Sequence, residues 1–194
     1  DTTSEETADY EDVRSFDLSD EDTSFKVSGD KDWEEKPILA PKPPSISVFD
    51  VAAYILNKMG PMTTMKLQKL VYYSQAWSLV WDEKPLFDEA IEAWANGPVV
   101  RDLFNYHRGM YQISSMPIGN PRLLNQEQRD TIDAVLDYYG DKSAQWLIDL
   151  THMEEPWIQT RKGMAIAERG DRVIPLDVIA DYYSSLLVEE EENA

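Results

Sequence analysis

The segment MKLQKLVYYSQAWSLVW, which ends at Trp81, constrains the fold of this chain more than any other segment. Its apolar residues follow two adjacent stripes at helical spacing. A hydroxyl cap at Thr63 or Thr64 precedes it, as is typical of a helix start. Because the segment is apolar on most sides after Leu70, it predicts a helix that lies inside a bundle and contacts several others.

The polar residues of this helix fall mainly in its first half. They are Lys66, Gln68, Lys69 and Gln75. We therefore expect only an amino-terminal rim of the helix to reach the surface, while the remainder packs in the core.

Caps and helix breakers predict five further helices. Four of them run from near Ser47 to Gly60, from Gly97-Pro98 to Gly109, from Asn125 to Gly140, and from Ser143 to a point before Pro156. The fifth begins near Pro175. Residues 86–95 are predicted to form a loop with a short extended piece, and residues 110–124 a long surface loop. The expected fold class is mostly α, a compact bundle of about six helices with little strand.

Residues 1–44 differ from the rest, since acids and hydroxyls dominate and prolines cluster in PILAPKPPS. Such a segment buries too little apolar surface to offset its ordering entropy, which predicts a disordered acidic arm with a stiff linker. Scattered apolar residues are the expected anchors if this arm folds on a partner, although a solvated tail fits equally. These anchors are Tyr10, Val13, Phe16, Leu18, Phe25, Val27 and Trp33. The predicted domain spans residues 45–188, and 189–194 form an acidic tail.

The composition limits the function classes. A net charge of −19, from 37 acidic and 18 basic residues, argues against nucleic-acid binding through a broad basic face. The chain has no cysteine, and His107 and His152 alone cannot build a multi-histidine metal centre. Neither a signal peptide nor a membrane-spanning run is recognisable, so a cytoplasmic protein without membrane contact is expected.

The most reactive-looking segment is Thr151–Trp157, where His152 is followed closely by Glu154 and Glu155. A carboxylate beside an imidazole is typical of a general base, so a hydrolase or nuclease centred on His152 and Glu154 remains an alternative. A magnesium site can also be assembled on paper from Asp141, Asp149, Glu154 and Glu155. The chain lacks a phosphate-binding glycine loop and a nucleophile elbow. We therefore predict no enzyme, no catalytic residue, no metal and no cofactor.

Three segments together resemble one known family. They are MKLQKLVYYSQAW, PLFDEAIEAWANGPVVRDLF and YGDKSAQWLIDLTHMEEPW, in this order and at these distances. The chain is similar over about residues 47–183 to the Panacea-domain proteins, which include SocA-like antitoxins and phage-associated GepA-like proteins. The resemblance implies a bacterial or phage-encoded antitoxin of a type II toxin–antitoxin system that binds and neutralises a cognate protein toxin.

A second function that the resemblance implies is a proteolytic adaptor that delivers a toxin or another client to a ClpXP-type protease. For the antitoxin, the surplus negative charge favours a toxin with a basic active-site cleft. We expect the toxin-binding surface to form where the three segments meet. Its candidate residues are Lys66, Lys69, Tyr73, Trp94, Asn96, Gly97, Pro98, Val99, Val100, His152, Glu154, Glu155 and Trp157.

Overall fold

The computed structural model describes residues 45–192, with the side chains described up to Val188. Within this range the chain forms seven α-helices and four short strands. The helices are α1 Val48–Met59, α2 Thr64–Trp81, α3 Arg101–His107, α4 Gln126–Tyr139, α5 Ala144–Thr151, α6 Glu155–Thr160 and α7 Leu176–Glu192. The strands are β1 Met62–Thr63, β2 Ile91–Trp94, β3 Gly97–Val100 and β4 Gln112–Ile113. The predicted acidic arm, residues 1–44, and its anchors lie outside the described residues.

Helix α2 is the centre of the domain, as its sequence predicts. Eleven of its eighteen residues are buried, and it contacts α1, α3, α4, α5 and α7. A helix that is apolar on most sides can bury every face only when other helices surround it. Within residues 45–192, no helix has the combination of length and apolar character needed to cross a membrane. The mostly α fold class is confirmed.

The helix caps read from the sequence are confirmed where their chemistry is strongest. Ser47 and Asp50 form a reciprocal capping box at α1, and Asn125 and Gln128 form a second one at α4. Side-chain oxygens of Thr63 and Ser143 accept hydrogen bonds from the first turns of α2 and α5. Each such bond satisfies an amide that the helix itself leaves unpaired.

The prediction that Gly97-Pro98 opens a helix is wrong. These residues begin strand β3, which pairs antiparallel with β2 so that Trp94 lies opposite Gly97. Two residues, Ala95 and Asn96, connect the strands, and α3 begins only at Arg101. Asn-Gly between two apolar runs is a hairpin signal, and here it prevails over the preference of proline for a first helical turn.

Two other boundaries also differ from the prediction. The long loop 110–124 contains β4, which pairs with β1, and it buries Ile113 and Met116. Pro156 does not merely end α5, because it lies in the first turn of the additional helix α6. Proline fits there because the first helical amides have no intrahelical acceptor. Helix α7 begins after Pro175 as predicted, and its backbone stays helical through the acidic run to Glu192.

Candidate functional site

The polar residues of α2 hold the hairpin backbone in place. Gln68 donates its side-chain amide to the Val100 carbonyl at 3.3 Å and accepts the Val100 amide at 2.9 Å. The next residue of the helix is Lys69, and its Nζ donates to the Pro98 carbonyl at 2.8 Å. Both side chains are buried. The prediction that Lys69 belongs to a surface rim is therefore wrong, since its amine is used inside the fold.

Burial changes the acidity of this amine. Lys69 has no exposed surface, and desolvation lowers its pKa to about 7. A carbonyl acceptor is compatible with both the charged and the neutral amine, so the hydrogen bond to Pro98 survives deprotonation. Lys69 is thus a hairpin anchor that titrates near neutral pH.

The tip of the hairpin approaches α2 and α5 so closely that only glycine fits. Gly97 has φ +95°, and a Cβ atom at this position would lie 2.6 Å from Thr151 Oγ1 and 2.8 Å from Lys69 Cε. Both contacts are shorter than real Cβ contacts. Gly97 therefore allows β3 to lie directly against the end of α5.

Helix α6 and the residues between α5 and α6 pack against β2, the other strand of the hairpin. Trp157 Nε1 donates to the Trp94 carbonyl at 2.8 Å, and the His152 ring stacks on Trp157 with 4.1 Å between centroids. Burial lowers the pKa of His152, while a hydrogen bond with the Ala95 backbone acts in the opposite direction. His152 Nε2 is buried and has no hydrogen-bond partner among the described residues. A neutral imidazole stacked on an indole is a packing element of this junction.

Glu154 forms hydrogen bonds with tyrosines rather than with His152. Tyr183 and Tyr73 donate their hydroxyls to Glu154 Oε2 at 2.7 and 3.2 Å. Burial raises the pKa of Glu154 to about 7, although these two hydrogen bonds act to lower it. Within residues 45–192, no hydrogen bond joins Glu154 to His152. The geometry therefore gives no support to a base formed by this pair.

The structure does not support the magnesium site considered from the sequence either. In the described part of the chain, no group of three or more carboxylate and imidazole side chains is arranged to hold a metal ion. Glu154 is buried, whereas Asp141, Asp149 and Glu155 are exposed.

Sequence analysis missed Arg161, which ties the loop after α6 to the hairpin. Its buried guanidinium donates to the Ala93 carbonyl at 2.8 Å and to the Ala165 and Glu168 carbonyls at 2.8 and 2.6 Å. The sequence gives no signal for this role, because the Ala93 acceptor belongs to a distant segment and the nearby acceptors are backbone carbonyls, which every residue has.

The hairpin also carries a charged cluster that sequence analysis missed. Arg101 forms a two-pronged ion pair with Glu92 at 2.6 and 2.7 Å, and Trp94 Nε1 donates to the same carboxylate at 2.7 Å. The Arg169 guanidinium lies 4.2 Å from the Trp94 ring centroid. The side chain of Trp94 is therefore enclosed within the fold by its own chain.

The structure brings the three predicted segments together, but most of the candidate residues lie beneath the surface. Asn96 and Glu155 are exposed, whereas Lys66, His152 and Trp157 are partly exposed. The other candidates are buried, namely Lys69, Tyr73, Trp94, Gly97, Pro98, Val99, Val100 and Glu154. Even Lys66 is occupied, since its Nζ donates to the Gly140 carbonyl at the end of α4. We name this set the hairpin junction.

Fold and junction together define a mostly α-helical domain with one small hairpin pinned to its central helix. Residues 67–158, from α2 into α6, match the family model described as "Antitoxin SocA-like, Panacea domain". Antitoxin SocA of Caulobacter vibrioides (strain NA1000 / CB15N) is 29% identical over 140 residues, which cover 62% of this chain and 73% of the relative. No solved structure matches the chain. Residues 67–158 are therefore similar to the SocA-like Panacea domain, as the three sequence segments predict.

Proposed function

We propose that this chain is an antitoxin that neutralises a protein toxin by binding it directly, as in a type II toxin–antitoxin system. The observation that carries the proposal is the match of residues 67–158 to the SocA-like Panacea domain, together with a relative named Antitoxin SocA. The matched range includes both strands of the hairpin and the α5–α6 connection, so it supplies nearly the whole hairpin junction.

The geometry of the ionisable groups favours binding over turnover. Glu154, Lys69 and Arg161 are engaged by hydroxyls or by backbone carbonyls of the fold itself. A general acid or base must instead reach a substrate proton at hydrogen-bond distance. Their arrangement fits a role in holding the domain in one shape.

The charge of the chain favours a cationic partner. A protein with a net charge of −19 attracts a toxin with a basic active-site cleft and is repelled by nucleic acid. We place this pair in the cytoplasm of a bacterial host, encoded by the host or by a phage, with the toxin gene beside the antitoxin gene.

Co-expression with the neighbouring gene tests the proposal. The neighbour alone should stop growth, and this chain should restore growth in cells that possess ClpXP and in cells that lack it. Rescue that disappears without the protease contradicts direct occlusion and favours the adaptor function instead. A neighbour that is harmless alone, or that remains toxic beside this chain, contradicts both.

A further inference from the structure

An apolar groove lies far along α2 from the hairpin, between the carboxyl-terminal half of α4 and the end of α7. It encloses about 300 Å³ and is lined by Trp77, Trp81, Val135, Tyr138, Leu186 and Leu187, among others. Trp81 and Tyr138 are 44% and 64% exposed although both are large aromatic residues. Large aromatic side chains left open in a groove are typical anchors of protein interfaces.

The floor of the groove is already rigid. The Trp77 and Trp81 rings stack with 4.7 Å between centroids, and Trp77 Nε1 donates to the Tyr139 hydroxyl at 3.2 Å. Tyr139 in turn stacks on the buried Tyr73 ring at 4.1 Å. A partner that enters such a groove therefore orders few side chains, which reduces the entropic cost of binding.

The two helices that border the groove are strongly acidic. Helix α4 contains four acidic residues and one basic residue, whereas α7 contains six acidic residues and none that is basic. Two of the α4 carboxylates, Glu127 and Asp133, pair with lysines of other segments. Four glutamates, moreover, end α7, where the helix dipole already has its negative pole. A cationic partner relieves this repulsion.

We propose that this groove is the docking site for a basic amphipathic segment of the toxin, whose apolar face contacts Trp81 and Tyr138 while its lysines and arginines face α4 and α7. An apolar groove flanked by two helices is the usual receptor for an amphipathic helix. This inference rests on the proposed function and names the surface that performs it. It places the contact outside the hairpin junction, most of whose residues are buried.

Binding of the purified product of the neighbouring gene to the full chain tests the inference by calorimetry. Trp81→Ala and Tyr138→Ala should each weaken binding by about thirtyfold, as loss of an aromatic anchor does at other interfaces. Trp146→Ala and Tyr111→Ala are the matched controls, since these rings are 40% and 80% exposed on other parts of the surface. The controls should bind like the parent, and thermal unfolding of all four variants verifies that each is folded.

Salt dependence tests the charge of the occupant. Raising the ionic strength from about 0.05 to 0.5 M should weaken binding by the parent chain, because it screens attraction between exposed opposite charges. Equal binding by parent and groove variants overturns the inference while the proposed function stands. No binding by the parent overturns both. A groove variant that converts a dimer of this chain into a monomer, but binds the neighbour as the parent does, assigns the groove to a second copy and likewise overturns the inference.

Discussion

Replacement of Glu154 by Gln tests the buried hydrogen-bond network through its pH dependence. The Glu154 carboxyl is 4% exposed and accepts hydroxyls from Tyr73 and Tyr183, and burial raises its pKa from 4.5 to about 7. In the unfolded chain this carboxyl loses its proton near pH 4.5, whereas in the folded chain it keeps the proton up to about pH 7. Between these values the folded state binds the additional proton, so stability falls as pH rises.

The size of the effect follows from the shift. The two pKa values differ by about 2.5 units, and each unit corresponds to about 1.4 kcal/mol, so the loss amounts to about 3 kcal/mol between pH 4.5 and 7. It is absent below pH 4.5 and complete above pH 7. Glutamine cannot ionise, and its amide oxygen can accept the two tyrosine hydroxyls. Glu154→Gln should therefore lack this component of the pH dependence.

Urea unfolding followed by far-UV circular dichroism, at several values from pH 4.5 to 8, measures the difference. The free energy of unfolding of Glu154→Gln, minus that of the parent, should rise by about 3 kcal/mol across this interval. Repulsion among the other carboxylates affects both proteins alike and cancels in the difference. A difference that stays constant with pH, or that falls, refutes the assignment of a buried Glu154 with a raised pKa.

Three further substitutions test the hairpin junction and the Arg161 anchor of the loop after α6. The parent should become more stable from pH 7 to 9, because the folded-state pKa of Lys69, about 7, lies below the ordinary lysine value of 10.5. Lys69→Met should lack this rise, and urea titrations of the variant that still show it contradict the assignment. Gly97→Ala should lower the melting temperature more than Gly60→Ala, since both have positive φ but only Gly97 is crowded; equal shifts contradict the close approach. Arg161→Lys should make the loop after α6 more sensitive to proteolysis, because an ammonium cannot satisfy the same spread of carbonyls, and unchanged cleavage contradicts that anchor.

The sequence predicts the helices well where local chemistry determines them. Ser47, Asn125 and Ser143 are good caps with helix-forming residues behind them, so α1, α4 and α5 begin where expected. The hairpin was missed because the preference of proline for a first helical turn was weighted above the Asn96-Gly97 hairpin signal. Gln68 and Lys69, which hold the β3 backbone in place, belong to a distant element, so these contacts leave no local signal.

The candidate site was expected at the surface, but most of its residues are buried. The three segments do converge, yet Lys69, Tyr73 and Glu154 lie inside because each finds a polar partner there. Charged residues are placed outside by default, and only the tertiary structure shows a buried acceptor. The opposite error concerns Trp81, which was expected to pack in the core with the rest of α2 but is 44% exposed.

The central claim, that this chain acts by binding another protein, is tested most directly by titration of the toxin activity. Purified full-length chain is added in increasing amounts to the purified product of the neighbouring gene, and the residual activity and the mass of the complex are followed together. Direct neutralisation predicts a linear loss of activity that is complete at a fixed ratio near stoichiometric amounts, with a stable complex at the same ratio. Complete loss at a small fraction of that ratio, without a complex, contradicts the claim and indicates catalysis instead.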